Sequence, residues 1–226
     1  MAPEKLSRDT VVEQAIKIAD TEGLEAVTIR RLAQELGVTP MALYWHFKNK
    51  DQLLAALAEH LFREVIPEFP PDAPWQVRLR AIVEATVGVI RRHPALTSLL
   101  PSLKQLDVTS FRVATNTALE LLAQAGFALE EGFLISGHLL HGVIALVDGA
   151  PGCPPGVTGE EAVEWRRQKR LSLESLPADQ YPCLVEYART LVGEPDLDRY
   201  YAFGVDLLMS GVEALAAKPR ERAGWT

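Results

Sequence analysis

Apolar residues recur along most of this chain at spacings of three and four positions, which is the pattern of amphipathic α-helices. In the first such segment Val11, Ala15 and Ile18 would share one buried face. Ser7 can cap the beginning of this helix and Gly23 can end it. Because runs of β-branched residues alternating with polar residues are absent, the sequence predicts an all-α protein.

Capping signals divide the following residues into three helices. Thr28 can accept a hydrogen bond at a helix N-terminus, and so can Thr39, which stands before Pro40 at a position that favours proline. Asn49, followed by Gln52, resembles a capping box. The predicted helices span residues 28–36, 39–47 and 49–65, with Gly37 after the first of them.

A cluster of prolines marks the predicted domain boundary. Residues 67–74 contain four prolines, a density that excludes a helix. We therefore expect one domain over residues 1–66 and a second over residues 67–226. Residues 149–159, rich in proline and glycine, are expected to form a surface loop. The helices predicted in the second domain span residues 75–92, 95–106, 108–124, 129–147, 160–173, 180–192 and 197–217.

The positive charge of the chain is concentrated in one segment. The 226 residues have a formal net charge of −7, which by itself argues against a nucleic-acid partner. Residues 28–50, however, contain four basic residues against Glu35 alone, a local net charge of +3. Residues 28–50 could therefore bind a nucleic acid despite the negative net charge of the whole chain.

The composition is that of a globular chain, with 48% hydrophobic and 23% charged residues. The longest run without Asp, Glu, Lys or Arg covers residues 132–147, sixteen positions, whereas a membrane span needs roughly 18 to 20 apolar residues. The first residues contain no apolar core of a secretory signal, and Cys153 and Cys183 have no closely spaced partner. We expect free thiols, a cytoplasmic location and no membrane contact.

Two short helices joined by a glycine-containing turn form a helix-turn-helix pattern, in which the second helix enters the DNA major groove. On that helix Pro40, Leu43 and Phe47 share a face that would pack inward. An isolated pattern of this kind fits equally a helical corner whose aromatic residues fill the core of a larger domain. The face presented outward would consist of Met41, Ala42, Tyr44, Trp45 and His46.

The run LAQELGVTPMALYWHFKNKDQLLAALA, residues 32–58, resembles the DNA-binding domain of the tetracycline repressor (TetR) family. Near the other end, Gly137-His138, residues 203–208 and residues 211–213 resemble the two helices that build the dimeric bundle of that class. The resemblance implies a three-helix, helix-turn-helix DNA-binding domain, followed by a helical domain for ligand binding and dimerisation. Between these stretches only the order of helices matches.

The resemblance also implies roles for single residues. Arg30 matches a base-contacting arginine, Tyr44 and Lys50 match phosphate-contacting positions, and His46 matches a position that reaches the DNA backbone. Thr28 is a further phosphate candidate, because hydroxyls at helix N-termini face anions. Residues 40–42 differ from the tetracycline repressors, so the operator sequence should differ too. The candidate DNA-binding residues are Thr28, Arg30, Thr39, Pro40, Met41, Ala42, Tyr44, Trp45, His46, Lys48 and Lys50.

Small residues in the last predicted helix favour a dimer interface. Gly204, Ser210 and Gly211 interrupt an otherwise apolar helix, at a cost on the order of 1 kcal/mol per glycine. The cost is understandable if another helix approaches closely there. Surface positions that merely tolerate small residues are the weaker interpretation, because the neighbouring residues are apolar on several sides.

The second domain offers a largely apolar wall for a small-molecule effector. Residues 94–106 contain no histidine, and Lys104 is their only charged residue, which argues against tetracycline with its magnesium. Many of the candidate lining residues would be core in any helical domain, and a few polar ones would orient the ligand. The candidates are Leu79, Ile82, Val83, Thr86, Leu99, Leu103, Phe111, Thr115, Asn116, Leu119, Phe133, His138 and His141.

Metal binding and catalysis find little support. His138 and His141 have a spacing compatible with metal ligation, but no third ligand is evident, and hydrogen bonding within a packed interface is the better interpretation. No nucleophile, phosphate-binding or dinucleotide motif occurs. We expect no cofactor, no metal and no enzymatic activity. The function predicted is a homodimeric, effector-released repressor of a palindromic operator; the alternative is a helical enzyme that reuses a helix-turn-helix corner.

Overall fold

The computed structural model describes residues 6–70, 72–153 and 157–218, and every regular element in these ranges is a helix. The predicted all-α fold is therefore confirmed. Short 3-10 turns cover Leu24–Ala26, Leu100–Ser102 and Gln105–Asp107. The α-helices are α1 (Arg8–Glu22), α2 (Ile29–Glu35), α3 (Pro40–Tyr44), α4 (Lys50–Phe62), α5 (Trp75–Arg92), α6 (Ala95–Leu99), α7 (Thr109–Gln124), α8 (Leu129–Asp148), α9 (Gly159–Glu174), α10 (Pro182–Ala188) and α11 (Leu197–Ala216).

All four predicted N-caps form. Ser7 and Thr28 accept hydrogen bonds from backbone N–H groups at 3.0 and 3.1 Å, Thr39 at 3.4 Å, and Asn49 at 2.9 Å. The capping box before α4 differs in one respect. The Gln52 side chain accepts from the backbone N–H of Lys48 rather than from that of Asn49. The cap therefore fixes the two residues that precede α4.

Four predicted helices end earlier than expected, among them the helix expected over 49–65, which ends at Phe62. The helix expected over 39–47 ends at Tyr44, and a turn leads on to Phe47. The helix expected over 95–106 ends at Leu99, because Pro101 has no N–H and its ring crowds the preceding turn. The helix expected over 180–192 is limited to α10.

The first of two compact units contains α1–α8 together with the end of α11 from Phe203 onward. In it α1 packs against α2 and α4, and α4 packs against α5, α6 and α7. The helices α5, α7 and α8 also pack on one another. The boundary predicted near residue 67 lies inside this unit, because α4 joins the N-terminal helices to the later ones.

The second compact unit spans residues 149–202. In this unit α9 packs against α10, and Ala162 and Ala188 are buried. Cys153 and Cys183 are free thiols, as predicted. Of the surface loop expected over 149–159, residues 154–156 lie outside the described residues, as does Pro71 in the proline-rich connector.

Candidate DNA interface and ligand cavity

The helices α2 and α3 pack against each other, and Leu32 on α2, Leu43 on α3 and Phe47 just after α3 are fully buried. On the other side of α3, Met41 is 68% exposed and Trp45 86% exposed. Because α3 has only five residues, it would not be stable as an isolated helix. Its position therefore depends on the buried residues around it. The helix α3 therefore presents large apolar and aromatic groups to solvent.

Pro40 is a correction to the sequence analysis. We expected it to pack inward with Leu43 and Phe47, but it is exposed. The reason is its position at the first residue of α3, where no preceding helical turn exists to cover it. Pro40 therefore belongs to the accessible end of the helix.

None of the candidate DNA-binding residues is buried. Ala42, His46 and Lys50 are half-buried, and the others are exposed. The hydroxyls of Thr28 and Thr39 accept the capping hydrogen bonds described above, which leaves their own protons available. The described residues therefore leave the whole set accessible to a partner.

Arg30 and Arg31 are adjacent but differ in their surroundings. Arg31 donates to Glu22 at 2.7 Å and to Glu35 at 2.5 Å, which ties α2 to the end of α1. The hydrogen bonds from Arg31 lower the pKa of the Glu22 carboxyl, and the same pairing raises the pKa of Arg31. Arg30 is exposed and forms no ion pair with any residue in the described ranges. Arg30 is thus the arginine left free for a partner.

Lys50 lies at the start of α4, with its Nζ 3.8 Å from a carboxylate oxygen of Glu25. The Glu25 side chain is almost fully exposed, so water screens this pair and it stabilises the fold little. A phosphate could replace the carboxylate at small cost. Lys48, two residues earlier, is exposed.

A cavity of about 490 Å³ lies among α4, α5, α7, α8 and the segment before α7. Its wall is mainly aliphatic and aromatic, which suits a small organic molecule. Most of the candidate ligand residues line it. They are Leu79, Ile82, Val83, Thr86, Leu103, Phe111, Thr115, Phe133 and His141.

Four candidates lie away from this cavity. Asn116 donates to Glu120 at 2.7 Å on the solvent side of α7. Leu119 lies against Gly132, and Leu99 is buried in the core near α1 and α4. His138 is exposed and does not line the cavity, because it is turned away from the face of α8 that carries Gly137 and His141.

Further residues line the cavity that the sequence patterns did not identify. Those on α8 follow the helical spacing of Phe133 and His141 and could have been found from it. Those on α4 depend on how α4 packs against α7, and no local pattern encodes that. The additional lining residues are Phe62, Val65, Lys104, Leu106, Ala114, Ala118, Ser136, Gly137, Leu139, Leu140 and Val143.

Two aromatic rings of the cavity wall link α4 to α7. The ring of Phe62 meets that of Phe111 edge to face, with ring centroids 5.4 Å apart. Such aromatic pairs contribute roughly 0.5–1.5 kcal/mol beyond their buried area. Because α4 begins beside the helix-turn-helix and carries Phe62 at its other end, this helix connects the two regions.

The helices α8 and α11 approach each other closely at two glycines. A Cβ atom at Gly142 would lie 2.6 Å from Leu208, and one at Gly204 would clash with Leu146. Arg80 of α5 forms a further link, since its Nη1 lies 2.7 Å from a carboxylate oxygen of Asp206 in α11, and this hydrogen bond raises the pKa of Arg80. Gly204 therefore serves a contact within the chain.

One face of α11 and α8 remains uncovered. Phe203, Leu207 and Leu215 on α11 are exposed, as is Leu134 on α8, and no atom of the described residues lies within 4 Å of a Cβ built at Gly211. Large apolar surfaces of this kind mark interaction sites. By length and composition alone, α8 is also apolar enough to cross a bilayer.

His138 and His141 of α8 are the residues whose spacing is compatible with metal ligation. Among the described residues no group of three His, Cys, Asp or Glu side chains could hold a metal ion. His141 is also the only histidine in the described cavity wall, which holds no carboxylate. The side chains there could bind an organic molecule by shape and by a few hydrogen bonds.

Comparisons with known proteins agree with this arrangement. One family model, described as bacterial regulatory proteins of the tetR family, matches residues 11–57, and another, described as the tetracyclin repressor-like C-terminal domain, matches residues 67–216. The HTH-type transcriptional repressor DrrR1 of Streptomyces coeruleorubidus is 30% identical over 221 residues, covering 95% of this chain and 80% of the relative. The tetracycline repressor protein class C of Escherichia coli is 29% identical over 222 residues, covering 93% and 92%.

Solved structures give the same picture. ActR of Streptomyces coelicolor in complex with actinorhodin superposes with a TM-score of 0.75 at 28% identity, covering 95% of this chain and 100% of that one. The complex of ActR with (S)-DNPA gives a TM-score of 0.73 at the same identity, covering 95% and 99%. Both of these ActR structures thus contain a bound small molecule.

Proposed function

This chain belongs to the tetR family of bacterial regulatory proteins as a ligand-responsive, DNA-binding transcriptional repressor, and we propose that it binds a palindromic operator as a homodimer and leaves it when a largely apolar molecule fills the cavity. The observation that carries the proposal is that an exposed Arg30 without an ion-pair partner and the exposed aromatic face of α3 occur together. Both belong to the same compact unit as the cavity. The enzyme alternative is not favoured, since the relatives are transcriptional regulators.

Operator recognition divides between base and backbone contacts. The guanidinium of Arg30 suits guanine O6 and N7, while Met41 and Trp45 can make apolar contact with thymine methyl groups. Tyr44, Lys50 and the capping hydroxyls would contact phosphates and fix the register. Because residues at the tip of α3 differ from those of the tetracycline repressors, we expect a different operator sequence.

The uncovered apolar face of α8 and α11 supports the homodimer. Two copies of the chain would bury these helices in a four-helix interface of the kind found in obligate dimers. A twofold dimer presents two identical reading helices, which explains the palindrome. The same burial would account for the apolar character of α8, and the protein would act on DNA in the cytoplasm.

Release of DNA requires two conformations of the dimer. An effector shifts the equilibrium only if it binds the conformation with unsuitable spacing of the reading helices more tightly. The helix α4 links the two sites, since Phe62 lines the cavity and Lys50 lies at the candidate DNA interface. Displacing Phe62 would therefore alter the position of the helix-turn-helix.

The effector proposed is of the kind that fills an apolar cavity; the similar protein ActR has been solved in complex with the small molecule actinorhodin. Tetracycline with magnesium fits poorly, because the described cavity wall offers a single histidine and no carboxylate as metal ligands. Shape and apolar area would set the affinity, and a few polar groups the orientation.

The test is selection of bound DNA from a random pool, followed by release assays on the selected site. We expect a palindrome with two half-sites, released by actinorhodin or another largely apolar compound but not by tetracycline with magnesium. Enrichment of sites without twofold symmetry would contradict the dimeric operator. Release by micromolar tetracycline that EDTA abolishes would contradict the proposed effector class.

A further inference from the structure

Among the described residues of the cavity wall, Lys104 is the only one with a fixed charge. Lys104 lies in the segment between the 3-10 turns before α7, flanked in the wall by Leu103 and Leu106. It is exposed and forms no ion pair with any acidic residue in the described ranges. An unpaired lysine therefore forms part of the wall of an apolar space.

The other polar groups of the wall are few, and half of them are already engaged. The hydroxyl of Thr86 donates to the Ile82 carbonyl at 2.7 Å, and that of Ser136 donates to the Phe133 carbonyl at 2.9 Å. Within the described part of the chain, Thr115 makes no side-chain hydrogen bond and neither does His141. A ligand would thus find one cation, one free hydroxyl and one imidazole.

A neutral apolar ligand would place its body against Lys104 without offering it a partner. Removing water from a charged group is unfavourable unless an opposite charge or strong hydrogen bonds replace the water. The long apolar stem of lysine can follow the wall while its ammonium stays at the rim. An anionic group at the outer end of a ligand would meet the ammonium there.

We propose that the effector is an organic anion, with an apolar body inside the cavity and one carboxylate or sulfonate group paired with Lys104. Thr115 would bind a neutral polar group of the same molecule. This inference rests on the proposed function, in which the cavity is the effector site. It goes further, because it states which charge the effector carries and which residue selects it.

The experiment compares two fluorescent probes with the same aromatic skeleton, one anionic and one neutral: anilinonaphthalene sulfonate and phenylnaphthylamine. Each probe is titrated into the full-length wild-type protein and into Lys104→Gln. We expect Lys104→Gln to weaken binding of the sulfonate about fivefold, the effect of a partly exposed ion pair, and to leave the neutral probe unchanged. Lys104→Arg should retain sulfonate binding, since it retains the charge.

Two controls locate the effect. Lys17→Gln removes an exposed lysine from α1, far from the cavity wall in sequence and absent from its lining, and should change neither probe. Ala118→Trp fills the cavity and should abolish binding of both. Equal weakening of both probes by Lys104→Gln, no weakening of either, or probe binding that survives Ala118→Trp would each overturn the proposal.

An operator-release assay separates this proposal from the proposed function. If both probes release the operator at the same concentration and Lys104→Gln changes neither, the effector site stands and the anion preference is wrong. If no DNA site is selected at all, the proposed function is wrong, whatever the probes bind.

Discussion

The backbone N–H of Ser110 donates a 3.0 Å hydrogen bond to the carboxylate of Glu59, and the Ser110 hydroxyl donates to the Glu59 carbonyl oxygen at 3.3 Å. The N-cap residue of α7 is Val108, whose side chain offers no acceptor. Glu59 of α4 therefore caps α7 from another helix, and its negative charge suits the positive end of the helix dipole. Since Phe111 follows Ser110, this link fixes a wall of the cavity to α4.

Replacing Glu59 by alanine should destabilise the protein. The variant Glu59→Ala removes the cap and leaves a nearly buried N–H group at Ser110 unpaired, so we expect the free energy of unfolding to fall by about 1–2 kcal/mol. Urea denaturation followed by circular dichroism measures the change. The matched control is Glu64→Ala, which breaks an exposed ion pair with Arg92 and should cost at most about 1 kcal/mol. A larger loss for Glu64→Ala than for Glu59→Ala would contradict the assignment.

Replacing Arg30 by alanine should alter operator specificity. If Arg30 reads a base, Arg30→Ala weakens operator binding by roughly 1–3 kcal/mol and relaxes the preference at one position of each half-site. Binding titrations with single-base operator variants measure this directly. Arg31→Ala is the neighbouring control: it breaks the pairs with Glu22 and Glu35 and should lower stability without changing base preference. If Arg31→Ala relaxes the base preference and Arg30→Ala does not, then Arg31 rather than Arg30 reads the base.

Replacing Lys50 by alanine should weaken binding to all DNA sequences alike. A phosphate contact carries no base information, but it releases counterions, so the slope of binding against salt should decrease by about one per subunit. The measurement is operator affinity at several salt concentrations, for the operator and for unrelated DNA. Lys17→Ala on α1 provides the control and should keep the wild-type slope. An unchanged slope in Lys50→Ala would remove this residue from the interface.

The sequence predicts most reliably those features that depend on residues close together in the chain. The caps at Thr28 and Asn49 and the buried Leu43 follow from local spacing, and each forms as expected. Pro101 carried a local signal too, and it breaks the helix that was predicted across it. The part of the cavity formed by Phe62 could not be predicted, because it depends on the packing of α4 against α7.

The cavity face of α8 shows the same limit at the level of single residues. His138 and His141 are one helical turn apart, yet only His141 lines the cavity. The rotation of α8 about its own axis decides between them, and that rotation follows from its packing on α5, α7 and α11. Periodicity could identify an apolar helix here but could not choose which polar residue faces a ligand.

A bulky charge at Gly211 should prevent dimer formation. Gly211 is exposed on the uncovered face of α11 and has free space around it, so Gly211→Arg should leave the chain folded while placing a charge in the proposed interface. Sedimentation should then show monomers, and binding to the palindrome should be lost. Gly152→Arg, at an exposed glycine outside the helices, is the control and should stay dimeric. A fully dimeric Gly211→Arg would remove this face from the interface.

Filling the cavity should produce a repressor that no effector can release. Ala118 lies on α7 with 7% of its surface exposed, and its methyl group faces the cavity of about 490 Å³. The larger side chain in Ala118→Trp would enter this empty space, so we expect a destabilisation of at most about 1–3 kcal/mol, the cost of overpacking. The indole is part of the chain in both conformations rather than a ligand that prefers one of them, so operator affinity without effector should remain within about threefold of wild type, less than 1.4 kcal/mol.

Release, by contrast, should require a far higher effector concentration, because the ligand can no longer occupy the conformation that it stabilises. The assay is operator binding in the presence of increasing anilinonaphthalene sulfonate, or of whichever compound releases the wild-type protein. Ala123→Trp places the same side chain on the exposed face of α7, outside the cavity wall, and should be released like wild type. If Ala118→Trp and Ala123→Trp are released at the same concentration, the effector does not act through this cavity.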